Sequence, residues 1–136
     1  MKEELLHREI LEEHARNPKN QRNLEVFDNL GKFVSQKTGN RCEVRFLQEN
    51  GIIRDVGVTM QGSALALACS SIMSIEVNGH LLSQSLELAE NMIHFLSVGK
   101  EVDLPGDLIV YGSIQRFPER HDCALLSWRA LLNGID

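Results

Sequence analysis

The sequence predicts an α+β domain in which a three-stranded antiparallel sheet is packed with helices. Three observations carry that reading. The apolar period passes from helical to alternating and back, Asn50-Gly51 stands between two alternating runs, and Gly62 separates the last strand pattern from a helix of small residues. At 136 residues the chain suits one unit with a buried core, so residues 1–136 form a single domain.

Residues 3–15 pattern as an amphipathic helix, with Leu6, Ile10 and His14 along one line, Leu11 beside them and glutamates outside. Asn17-Pro18 ends it, because Pro18 lacks a donor and biases Asn17 away from helix. His14, lone on its face, reads as a packing or capping residue. Residues 32–36 are a short first strand. Residues 41–48 alternate, placing Cys42, Val44 and Phe46 on one face and Glu43, Arg45 and Leu47 on the other. Residues 52–60 make the third strand, and Asn50-Gly51 tolerates the positive φ of a type I′ hairpin turn.

After Gly62 a helix over 63–76 is rich in Ala, Ser and Cys, and Asn78-Gly79 closes it. A second helix over 83–98 carries Leu86, Ala89, Ile93 and Leu96 as one stripe, with Gly99 as its stop. Residues 100–107 form an acidic connection. Asp107 is placed to cap a short helix over 107–115, which Phe117-Pro118 breaks. The last helix, over 122–132, lines up Leu125, Trp128, Leu132 and then Ile135.

Hydrophobic residues are 43% and charged residues 24%, with no apolar run near the ~18 residues of a membrane span. The first residues are acidic where a secretory signal needs a basic region, so the chain is expected in the cytoplasm and off the membrane. The net charge is -5; residues 1–60 balance and 61–136 carry the excess, which argues against a nucleic-acid partner. Cys42, Cys69 and Cys123 form no CxxC pair and read as reduced thiols. Cys42 shares a face with Val44 and Phe46, and Cys69 lies well inside a helix, so both read as core residues.

Three polar corners stand out: the turn Lys37-Thr38-Gly39-Asn40 and the helix starts at Gly62-Ser63 and His121-Asp122-Cys123. Each has a plain structural account, Ser63 as an N-cap, Thr38-Gly39-Asn40 as turn chemistry, Asp122 as a cap. Cys123 sits in a first helical turn, where the positive end of the dipole faces its sulfur. The spacing of these corners, with His14-Ala15-Arg16-Asn17-Pro18-Lys19-Asn20 and the run Arg120-His121-Asp122-Cys123-Ala124-Leu125-Leu126-Ser127-Trp128-Arg129-Ala130-Leu131, resembles the NifU/IscU/SufU family of iron-sulfur cluster assembly scaffolds. The segment from Gly99 to Pro118 looks like the SufU-type insertion.

That resemblance implies a SufE/IscU-like scaffold fold with a zinc ion or iron-sulfur cluster held by three cysteines and an aspartate. Carried over, the ligand positions are Thr38, Asn40, Ser63 and Cys123, of which only Cys123 keeps a family ligand. Ser35-Gln36 also replaces the usual Asn-Pro. Hydroxyls and an amide replace neither the charge nor the softness of thiolates, so metal affinity is expected to fall, as far as no bound metal at all. His121 and Asp122 are the candidate substitute ligands.

Three functions follow. The first is an assembly scaffold that keeps a weak cluster or accepts sulfur on Cys123, working with a cysteine desulfurase or other assembly proteins, with a homo-oligomer as a further candidate assembly. The second is a non-catalytic interaction module binding the same partners. The third is a small transferase or hydrolase using Cys123 with His121, which needs His121 to precede the helix. The first is preferred, and the chain is not expected to be an enzyme in its own right.

Overall fold

Turn chemistry and alternation build the sheet. In the computed structural model, which describes residues 2–134, β1 (Asn29–Val34), β2 (Arg41–Glu49) and β3 (Ile52–Gln61) pair antiparallel in the order β1-β2-β3. Asn50 and Gly51 take φ of 55° and 79°, the left-handed pair a two-residue I′ hairpin needs. Pairing then runs from Glu49 opposite Ile52 to Arg41 opposite Gln61. Cys42, Val44 and Phe46 are buried, as their alternation requires.

β1 starts at Asn29 rather than at residue 32, and Ser35 and Gln36 belong to the turn that follows it. The cause is Gly31. A Cβ there would lie 1.9 Å from the Ala130 carbonyl oxygen, so the inward residue of this strand must be glycine and shows no apolar alternation.

Among the described residues there are five helices, α1 (Lys2–Arg16), α2 (Ala64–Val77), α3 (Leu82–Val98), α4 (Tyr111–Ile114) and α5 (His121–Leu132). α5 lies on β1 and β2, α2 beside it on β3, and α1 and α3 pack outside these two. The small residues of α2 let it be buried nearly all round, from Ala66 to Val77. Gly99 stops α3 with φ 73°, and Asn78 ends α2. Between α3 and α5, Tyr111 donates to the Ala124 carbonyl and accepts from Trp128 Nε1, so two buried aromatics lock that segment to α5. Ile135 lies outside the described residues, and no described helix is long and apolar enough to cross a membrane.

Two expectations are corrected by buried histidines. Leu6 is 55% exposed, whereas His7 and His14 are buried on α1 beside the partly buried Ile10 and Leu11. Each histidine has a partner that makes its burial tolerable: His7 Nδ1 meets Ser113 Oγ at 2.6 Å, and His14 Nδ1 meets Ser71 Oγ at 2.8 Å. Asp107, in turn, caps no helix; its carboxylate accepts from His14 Nε2 at 2.7 Å, and residues 106–110 form a 3-10 turn without a side-chain cap.

The Asp107 carboxylate only accepts, so His14 carries a proton on Nε2. In that tautomer Nδ1 accepts from Ser71 Oγ, which itself accepts the Lys19 N–H at 2.7 Å. Asn20 donates to Ser74 Oγ and Gln21 to Ser70 Oγ, completing a hydroxyl seam between α2 and the turn after α1.

Candidate functional site

The end of the β2-β3 hairpin opposite its turn sets the site. Because Arg41 pairs with Gln61, the next residues outward, Asn40 and Gly62, face each other. Gly62 is tight against the amide: a Cβ there would stand 3.0 Å from Asn40 Cγ and 3.1 Å from Nδ2. On its other side, Asn40 Nδ2 donates to Cys123 Sγ at 3.7 Å. Asn40 thus bridges the corner before α2 and the first turn of α5.

The turn holding Asn40 is closed by its own backbone and by one serine. Ser35 N–H donates to the Asn40 carbonyl at 2.8 Å, Gly39 takes φ 76°, and Ser35 Oγ accepts the N–H groups of Lys37 and Thr38. The same hydroxyl donates to Asp122 Oδ2 at 2.5 Å. Arg129 pairs with the other Asp122 oxygen at 3.3 Å and lies over the Phe33 ring. Asp122 therefore ties the start of α5 to β1 and its turn, and caps no helix end.

Ser63 is an exposed N-cap, with φ -71° and ψ 166°, whose hydroxyl accepts the Ala66 N–H at 3.1 Å. Thr38 Oγ1 accepts the Asn40 N–H at 3.1 Å. His121 Nε2 donates to the Gln115 carbonyl at 3.0 Å, toward the segment before α5. Of the expected site residues, the fold joins Asn40 and Cys123 directly, sets Gly62 against Asn40 with Ser63 next in the chain capping its own helix, and turns the polar groups of His121 and Asp122 to other partners. Ser35 and Arg129 are the additional supporting residues; the only sequence signal for Ser35 was its place where relatives carry Asn-Pro.

The three thiols differ in kind. Burial pushes Cys42 and Cys69 up to about 12 from an ordinary 9.0, assisted by Glu43 at Cys42. Burial is the main cause at Cys69, with neighbouring Tyr111 working against it and nearby Cys123 adding to it. Cys123 alone is partly open.

This donor set does not fit zinc or a cluster. It offers one thiol, an amide presenting N–H to that thiol, and two hydroxyls already accepting backbone N–H groups. Among the described residues no group of three His, Cys, Asp or Glu side chains is placed to hold a metal ion.

A three-stranded antiparallel sheet under a buried small-residue helix, with a thiol where the hairpin end meets the start of α5, is the fold shared with solved SufU-type and NifU-like domains. The chain belongs to the NifU-like N-terminal domain family, whose profile matches residues 6–136. Over 135 residues it is 27% identical to the zinc-dependent sulfurtransferase SufU of Bacillus subtilis (strain 168), covering 96% of this chain and 89% of that protein. The putative iron-sulfur cluster assembly scaffold protein for the SUF system from Fervidobacterium islandicum AW-1 superposes with a TM-score of 0.83 at 24% identity, over 90% of this chain and 91% of that one. The NifU-like protein (N-terminal) of Brucella abortus gives 0.80 at 22% identity, over 92% and 88%. The expected α+β scaffold fold is the one found.

Proposed function

We propose that this chain serves iron-sulfur cluster assembly as a scaffold-type sulfur acceptor, taking sulfur on Cys123 with little or no metal affinity of its own. The observation that carries the reading is the Asn40 N–H aimed at a partly open thiol, at the corner where relatives are expected to bind metal. In the transfer, the Cys123 sulfur, its proton given to solvent, attacks the outer sulfur of a donor persulfide. The donor's S–S bond breaks as the new one forms, and the donor leaves as a thiolate. The Asn40 N–H supports negative charge on sulfur before attack and on the persulfide afterwards.

One thiol holds one sulfur at a time, so the chain acts as a stoichiometric acceptor until a recipient takes the sulfur from it. A cysteine desulfurase is the fitting donor and a further assembly protein the fitting recipient, with reduced cytoplasmic surroundings to keep the three thiols free. The kinship with a sulfurtransferase supports sulfur handling, while the donor set here speaks against the zinc dependence of that relative. Incubation with a desulfurase and cysteine tests the reading: intact-mass analysis should find one added sulfur on Cys123, absent from Cys123→Ala. No added sulfur in the parent protein overturns it.

The substitutions at Thr38, Asn40 and Ser63 favour a second reading, an interaction module that binds the same desulfurase without chemistry. It expects binding and altered desulfurase turnover to survive Cys123→Ala. A cysteine hydrolase finds no support: the His121 ring bonds to Gln115, and the group that donates to Cys123 Sγ is Asn40.

A further inference from the structure

A groove runs along the flank of α1 from Glu4 to Ala15, about 16 Å by helical rise, and ends at the first turn of α2 and the turn over 118–120. It encloses about 660 Å³. Leu11, Leu65, Ala68 and Ile114 line its inner wall, and Leu5 and Phe117 stand at its mouth, 57% and 37% exposed. Apolar side chains left this open along a channel three helical turns long suit an apolar edge laid against them.

Its charges are uneven. Glu4 is paired with Arg116, and Arg8 with Glu12 at 3.6 Å. Arg120, stacked 4.3 Å over the Phe117 ring, has no carboxylate partner among the described residues. It sits at the end where α2 begins, and there Ser63 caps the Ala66 N–H while the earlier N–H groups of the helix have no acceptor within it. In a chain of net charge -5, Arg120 brings a cation to this end of the groove, beside the first turn of α2.

We propose that the groove is the docking site for an acidic amphipathic segment of a partner protein. Its apolar side chains lie on Leu11, Leu65 and Ile114, and a carboxylate pairs with Arg120 as Arg120 rests on Phe117. In this groove an anionic bilayer or a nucleic acid would meet one cation without a carboxylate partner among the described residues, too little to hold either. Docking needs neither a metal nor the Cys123 sulfur, so it stands independently of sulfur transfer.

The test uses two synthetic peptides of about twelve residues, the length of the groove as a helix. Both carry leucines at every fourth position; one has glutamates between them and the other lysines. Fluorescence anisotropy with the full chain at low salt should show binding of the glutamate peptide only, equally in Cys123→Ala. Amide NMR shifts should cluster at Leu11, Leu65, Phe117 and Arg120. Arg120→Glu should weaken binding roughly tenfold, Arg120→Gln and Phe117→Ala less, with unchanged melting curves. Equal binding of the lysine peptide, binding indifferent to Arg120, shifts elsewhere, or no binding would each overturn the proposal. Dimerisation by light scattering that moves the same amides without peptide would assign the groove to a second copy and also overturn it.

Discussion

The side-chain amide of Asn40 donates to the sulfur of Cys123 across 3.7 Å, joining residues 83 apart in the chain. The same amide lies against Gly62, so a small change at one residue reaches all three segments of the corner.

Asn40→Asp places a carboxylate where the N–H now faces sulfur. The like charge opposes the thiolate, and alkylation of Cys123 by iodoacetamide at neutral pH should slow roughly fivefold. An unchanged rate would mean that the amide does not act on the sulfur. Combined with Thr38→Cys and Ser63→Cys, the same change should raise zinc affinity by orders of magnitude in a chelator competition. Flat zinc binding in a folded triple variant would show that the corner no longer has the shape of a metal site.

Cys42 and Cys69 keep their protons in the folded state up to about 12, whereas unfolded thiols ionise near 9.0. Between those values the unfolded chain binds fewer protons, so their contribution to stability is full below 9.0 and falls as pH rises toward 12. Urea melts below and above pH 9.0 should show the loss, and Cys42→Val should reduce its slope. Native alkylation at mildly alkaline pH should mark Cys123 alone.

His14→Ala removes the acceptor for Ser71 and the donor to Asp107 from a site only 6% exposed. The stranded hydroxyl and the space left behind should cost about 3 kcal/mol in urea unfolding. A loss under roughly 1 kcal/mol would show that the seam relaxes around the gap.

Gly31→Ala drives a methyl to 1.9 Å from the Ala130 carbonyl and 2.6 Å from the Gly134 nitrogen. Both obstacles are backbone, so the end of α5 must move, and a loss of roughly 3 kcal/mol is expected. The companion Gly39→Ala, at φ 76° with open space around it, should cost about 1 kcal/mol through backbone strain alone.

Local chemistry was legible. Asn50-Gly51, Gly99, Asn78 and the Ser63 cap act through their own φ/ψ and hydrogen bonds, and each stands where its residue type puts it. The departures share one cause, a partner distant in the chain. Leu6 yields its inward place to His7 because Ser113 waits for the imidazole, β1 shifts because Gly31 receives α5, and Asp107 leaves its cap for His14. In the site, the substituted positions were readable only through resemblance to relatives; the Asn40 to Cys123 bond depends on strand register that no single residue announces.

The hydroxyl seam of α2 has a mechanical consequence at the far end of that helix. Ser70, Ser71 and Ser74 are bonded to Gln21, His14 with Lys19, and Asn20. Sliding α2 along its axis by one residue, about 1.5 Å, would break these bonds together. The start of α2 consequently cannot move along the helix axis without a concerted rupture a full two turns away. Gly62 before it lies against the Asn40 amide that donates to Cys123 Sγ, so the approach to the thiol is set by serines that never touch it.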